Sequence, residues 1–113
     1  QSVFVKNIKR MHNIMSDILE DSVSGLKKFS ARKIILFGSA SRGEDVEESD
    51  IDMLVVGDIK QTEASAVVKK ISEKYGRKLS LAIRTYEQYI DMPKTEKILW
   101  RQLESDKVVL YEV

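Results

Sequence analysis

The sequence predicts a mixed α/β (α+β) domain built on a small mixed sheet of about four strands flanked by helices. Three observations predict it. Short apolar runs rich in β-branched residues, such as Lys33-Ile34-Ile35-Leu36-Phe37, read as buried strands. Longer segments repeat apolar residues at three- and four-residue spacing, as amphipathic helices do. The two kinds of segment follow one another along 113 residues with no repeat, low-complexity tract or internal linker, which is one domain's worth of chain.

Val5 to Leu26 is expected to form a long amphipathic helix, with Ile8, Met11, Ile14, Met15, Ile18 and Leu19 on its apolar stripe and Gly25 helping to stop it. That face is expected to pack on the sheet or on a second copy of the chain, so a homo-oligomer stays open. Lys27 to Lys33 is a basic connector, and Lys33 to Phe37 the first strand, ended by Gly38-Ser39. Ala40 to Arg42 starts a short helix that Gly43 breaks, and Glu44 to Ser49 is an acidic turn. Ile51 to Val56 is the second strand, closed by Gly57-Asp58. Thr62 caps a helix running to Tyr75, with Gly76 at the place where a helix ends. Lys78 to Arg84 is the third strand, where Leu79, Leu81 and Ile83 alternate with Ser80 and Ala82. Thr85 opens a helical stretch toward Ile90, and Pro93 punctuates the chain. Thr95 to Glu104 is the last helix and Lys107 to Tyr111 the last strand.

Bulk properties remove several functions. Lys and Arg number 19 against 18 Asp and Glu, without the basic excess of a duplex-DNA binder. No cysteine is present, which excludes disulfides and thiolate metal sites. No apolar run approaches the roughly 18 residues of a membrane span, so no membrane partner is expected. Lys6, Lys9 and Arg10 interrupt the first apolar residues, unlike a signal peptide. The expected location is cytoplasmic.

The chemistry concentrates between Ile34 and Val56. A strand that ends in Gly38-Ser39 and opens a helix lets a phosphate approach the backbone, with unpaired amides and the Ser39 hydroxyl as donors. Gly-Ser alone is weak evidence, and the run is neither a P-loop nor a dinucleotide fingerprint. Asp50-Ile51-Asp52 adds a second feature. Alternate strand residues face one way, so the two carboxylates share a side that Ile51 leaves. Like charges so placed repel unless a cation lies between them, and magnesium takes oxygen ligands of this kind together with substrate phosphates. An isolated Asp-x-Asp is more often a solvated turn. Here it opens the strongly apolar strand Met53-Leu54-Val55-Val56 a short loop after a phosphate-friendly corner, where a purely structural strand gains nothing from paired acids.

Gly38-Ser39, the ten residues Ala40 to Ser49, then Asp50-Ile51-Asp52 resemble the signature of the minimal nucleotidyltransferases (MNT) of the DNA polymerase β superfamily, and Arg42-Gly43 fits a variant of it. The resemblance is specific over Ile34 to Val56 and looser elsewhere, including the closing segment from Glu96 to Tyr111. It implies the nucleotidyltransferase fold. It also implies transfer of a nucleoside monophosphate from a nucleoside triphosphate, ATP first among them, to an acceptor hydroxyl with release of pyrophosphate. By the same resemblance Gly38, Ser39 and Arg42 would hold phosphates, and Asp50 and Asp52 would be the catalytic carboxylates that hold Mg2+. A HEPN-domain protein is an implied partner, because many small members are the antitoxins of MNT/HEPN toxin–antitoxin pairs.

The chain departs from the family pattern at one place. Active members carry a third carboxylate on the next strand, and the matching residue here is Ser80. A hydroxyl stays protonated near neutral pH and is a weak ligand, so the two-metal site is expected to be incomplete. Glu87 is the nearest downstream acid. Either the domain transfers nucleotidyl groups, or it is a catalytically weakened, antitoxin-like partner-binding subunit. His12 reads as a structural or solvent-edge residue, Trp100 as core or interface, and Lys69, Lys70, Lys74, Arg77 and Lys78 as a solvated basic face.

Overall fold

A computed structural model describes residues 14–44 and 48–113. The expected helix before residue 14, with His12, and part of the acidic turn lie outside the described residues. In order the chain forms α1 (Ile14–Lys27), β1 (Ala31–Phe37), a 3-10 turn (Ser39–Arg42), β2 (Ile51–Gly57), α2 (Gln61–Tyr75), β3 (Leu79–Arg84), α3 (Tyr86–Thr95), α4 (Lys97–Asp106) and β4 (Val108–Glu112). The result is the mixed α+β domain with a four-stranded mixed sheet that the sequence predicts.

The strand order is β3-β2-β1-β4. β1 runs antiparallel to both β2 and β4, whereas β2 and β3 are parallel and joined through α2. Helices cover both faces of the sheet, which explains why β1 and β2 read as continuous apolar runs rather than alternating ones. On one face Ile34, Leu36, Met53 and Val55 pack with Ile18, Leu19, Val23 and Leu26 of α1 and Ala64, Val67 and Ile71 of α2. On the other, Ile35, Phe37, Leu54 and Val56 pack with Met92 of α3 and Leu103 of α4. Each fully buried side chain of this size contributes about 1.5–3 kcal/mol before conformational entropy is charged against it. The apolar face of α1 thus lies on the sheet of its own chain. Among the described residues no helix is long and apolar enough to cross a membrane.

Three local expectations change. Gly25 does not stop α1, which continues to Lys27. Instead it lets α1 approach α2: a Cβ there would stand 3.2 Å from Val67 Cγ2. Pro93 lies inside α3 rather than ending the helix. Its ring removes one amide near the helix end, and the last turn is closed by Glu96 N–H donating to Met92 O at 2.9 Å and Thr95 Oγ1 to Asp91 O at 3.2 Å. Lys60, not Thr62, is the N-cap of α2, where Glu63 accepts from the Lys60 amide at 2.9 Å. Thr85 is the N-cap of α3, accepting from Gln88 N–H at 3.1 Å while Gln88 Oε1 accepts from Thr85 N–H at 2.8 Å.

Candidate active site

Sheet topology gathers the chemistry at one end. Because β1 and β2 are antiparallel, the C-terminal end of β1 meets the N-terminal end of β2, with Phe37 opposite Asp52. Because β3 is parallel to β2, its first residues arrive at the same end, with Asp52 opposite Ser80. Register partners leave a sheet on the same face, so Asp52 and Ser80 point to the side covered by α3 and α4. Asp50 stands exposed just before the first residue of β2, close enough for its charge to act on Asp52, while Ile51 is buried on the opposite side of the sheet.

The corner after β1 is shaped around Asp52. Gly38 has φ 77° and ψ −159°, a conformation essentially confined to glycine. A Cβ at this position would stand 2.5 Å from Asp52 Oδ2. The chain then turns tightly: Ser41 N–H and Ser41 Oγ both donate to Gly38 O, at 3.1 and 2.6 Å, and Glu44 N–H donates to Ser39 O at 2.9 Å. Ser39 is half-buried at the first position of this turn. Burial first, and the charge of Asp50 second, push the Asp52 carboxyl above its ordinary pKa. A cation between the two carboxylates would relieve both effects.

These donors suit Mg2+, a hard cation that accepts one or two carboxylates and completes its shell with water and phosphate oxygens. They suit one ion better than two. Among the described residues no group of three or more His, Cys, Asp or Glu side chains stands close enough to share a metal. Ser80 occupies the register position beside Asp52. Glu87 is exposed in the first turn of α3, beyond Arg84 at the other end of β3. The four residue steps from Ser80 to Arg84 alone span about 13 Å of strand, so Glu87 does not fill the gap.

Arg42 lies beside this corner with its guanidinium engaged. Nε donates to Glu44 Oε1 at 3.0 Å and Nη1 to Asp106 Oδ2, on the last residue of α4, at 2.8 Å. Asp106 is thus a neighbour of the corner that no local motif announced, 64 residues away in sequence. The basic run along α2 and into β3 also divides. Lys69, Lys70, Lys74 and Lys78 are exposed, but Arg77 is only 8% exposed and Nη2 donates to Ser49 O at 3.2 Å. Trp100 is half-buried and meets Tyr89 edge-on, with ring centroids 5.9 Å apart, which makes it part of the α3–α4 packing.

Comparison with known proteins finds relatives in sequence and in fold. MJ0604 of Methanocaldococcus jannaschii, assigned as a candidate protein adenylyltransferase, is 38% identical over 85 residues that span 73% of this chain and 80% of that protein. MJ1379 of the same organism, assigned likewise, is 45% identical over 51 residues, 45% of this chain and 42% of its own length. A chain of a toxin–antitoxin complex crystallised with AMP-PNP superposes with a TM-score of 0.63 at 18% identity, covering 84% of this chain and 73% of that one. A candidate minimal nucleotidyltransferase gives 0.63 at 18% identity, covering 83% and 90%. A chain from the complex of a tri-AMPylated Shewanella oneidensis HEPN toxin with an MNT antitoxin gives 0.59 at 15%, covering 88% and 74%. At such identities the structural likeness speaks for the fold. Residues 16–110 match the family described as Nucleotidyltransferase domain, and with the MJ0604 similarity this shows that the chain belongs to that family of nucleotidyl-transferring enzymes.

Proposed function

We propose that the domain binds a magnesium–nucleoside triphosphate, ATP first among them, at the corner between β1 and β2, and transfers the nucleoside monophosphate to an acceptor hydroxyl. The observation that carries this reading is the contact between Gly38 and Asp52: the glycine leaves room for a carboxylate where the strand end offers amides to phosphates. Asp50 and Asp52 would hold Mg2+, which supplies charge neutralisation for the triphosphate and for the pyrophosphate that leaves. Gly38 and Ser39 would hold the β- and γ-phosphates through backbone amides and the Ser39 hydroxyl. Arg42 would exchange Glu44 and Asp106 for triphosphate oxygens. The acceptor oxygen forms a bond to the α-phosphorus as the bond to the bridging oxygen of pyrophosphate breaks. Without a carboxylate at position 80, the hydroxyl proton passes to water. Isothermal titration of Mg–ATP into wild type, Asp50→Asn and Asp52→Asn tests the reading, and equal affinity in all three would sink it.

A second reading is favoured by the register pair Asp52–Ser80. The missing third acid weakens transfer, and the domain serves as an antitoxin-like subunit for a HEPN-domain partner, the kind of assembly in which a similar fold occurs. Labelled ATP incubated with such a partner, this protein and Mg2+ separates the two. Rapid AMP transfer to the partner favours the enzyme. Tight complex formation without label favours the weakened subunit.

A further inference from the structure

Asp50 lies just outside the sheet. The ladder of β2 begins at Ile51, and the Asp50 side chain is exposed. A residue in that position takes its place from whatever holds the backbone on either side. Two anchors come from adjacent residues, Arg77 and Lys78, which follow Gly76 in the link between α2 and β3. Arg77 Nη2 donates to the carbonyl of Ser49, one residue before Asp50, at 3.2 Å. The carbonyl of Lys78 accepts from the Ile51 amide, one residue after Asp50, at 2.9 Å. Among the described residues Arg77 is the one charged side chain that is buried. A guanidinium is costly to bury, since it cannot lose its proton and carries five donors that need acceptors. Its planar fork is also well suited to hold a backbone carbonyl in a fixed direction.

We propose that Arg77 is a positioning residue for Asp50: by gripping Ser49 O it keeps the Asp50 carboxylate on the Asp52 side of the corner, ready to share a divalent cation. The inference rests on the metal–nucleotide reading above. It gives Arg77 a side-chain task distinct from the exposed lysines around it; Lys78 meets β2 through its backbone carbonyl instead.

The test is a titration with Mn2+ in the presence of ATP, followed by the loss of the free-ion electron paramagnetic resonance signal beyond that of a protein-free Mn2+–ATP control at each point, because ATP itself binds the ion. Thermal midpoints are measured on the same samples by circular dichroism. Arg77→Met should weaken Mn2+ binding by about tenfold, the lower end of the range for residues that orient a metal ligand, since it acts on Asp50 through the backbone of Ser49, at temperatures where the variant is fully folded. Arg77→Lys, which keeps a charged donor, should recover part of that loss. Arg84→Met removes another half-buried arginine, at the far end of β3. It should lower the midpoint and leave Mn2+ affinity within about twofold, since it lies outside the reach of that contact range. If Arg77→Met does not fold, Arg77→Gln, whose amide is too short to reach Ser49 O, takes its place with the same expectation. Wild-type affinity in the folded Arg77 variant, with only the midpoint lowered, would overturn the inference and leave the metal–nucleotide reading intact. A wild-type protein that takes up no Mn2+ with ATP would overturn that reading and this inference with it.

Discussion

Asp52 and Ser80 are direct partners in the parallel ladder between β2 and β3, and their side chains leave the sheet on the same face. Adjacent strands lie about 4.8 Å apart, so an acid at position 80 would reach a cation held by Asp52. Ser80→Asp should therefore raise Mg2+-dependent pyrophosphate release from ATP, by up to the hundred- to ten-thousand-fold that a positioned general base supplies. The metal-free variant should be less stable than wild type, because three carboxylates then crowd one corner. Unchanged release in a folded Ser80→Asp protein would show that position 80 does not limit the reaction.

Gly38→Ala addresses the other side of the same carboxylate. The added methyl would stand 2.5 Å from Asp52 Oδ2, and alanine disfavours a φ of 77°. The expected loss is about 1–3 kcal/mol of stability from backbone strain alone. Mg–ATP affinity should fall as well, since Asp52 must move to admit the methyl. Denaturant unfolding and titration of the same variant check both.

The charge of Asp52 is held at a cost to the fold. Its carboxyl is raised above an ordinary value of 3.8 by burial and by Asp50. A raised folded pKa means that the native state holds the proton longer than the unfolded chain. The metal-free protein then loses stability from this group as pH rises from about 4 through the raised value, and the loss persists at neutral pH. Asp52→Asn should raise the neutral-pH thermal midpoint without metal, remove that part of the pH dependence and abolish stabilisation by Mg–ATP. A lower midpoint in Asp52→Asn would contradict this.

Arg84 and Glu96 make the opposite case, far from the acids. Two hydrogen bonds, Nε to Oε2 at 2.7 Å and Nη2 to Oε1 at 2.6 Å, tie the end of β3 to the junction of α3 and α4. They lower the Glu96 carboxyl below its ordinary 4.5 against an opposing effect of burial. A lowered folded pKa gives stability that is fully present above about 4.5 and is lost as pH falls through the folded value. Glu96→Gln should cost on the order of 1 kcal/mol at pH 7, reduced by partial exposure, and the gap to wild type should close in acid. Urea unfolding across that pH range measures it.

Much of this protein follows from short-range chemistry. The apolar runs of β1 and β2, the stripe of α1, the Thr85 cap and the glycine after α2 are each readable from a few neighbouring residues. The Gly38-Ser39 turn at the end of β1 is likewise readable from turn preference, whereas Asp50 stands just before the β2 ladder and takes its place from contacts outside the local period. Pro93 and Gly25 resisted that reading. A proline near a helix end removes a single amide, and a glycine inside a helix is explained by the side chain packed against it.

The tertiary structure decided what local periods do not encode. The antiparallel and parallel pairings of β2 brought Phe37, Asp52 and Ser80 to one level of the sheet and left Glu87 at the other end. They set Gly38 against Asp52, Asp106 against Arg42 and Arg77 beneath the residue before Asp50. Arg77 looks in sequence like its exposed lysine neighbours. Its burial and its hold on Ser49 O arise in the folded chain, because register and burial belong to contacts between segments far apart in sequence.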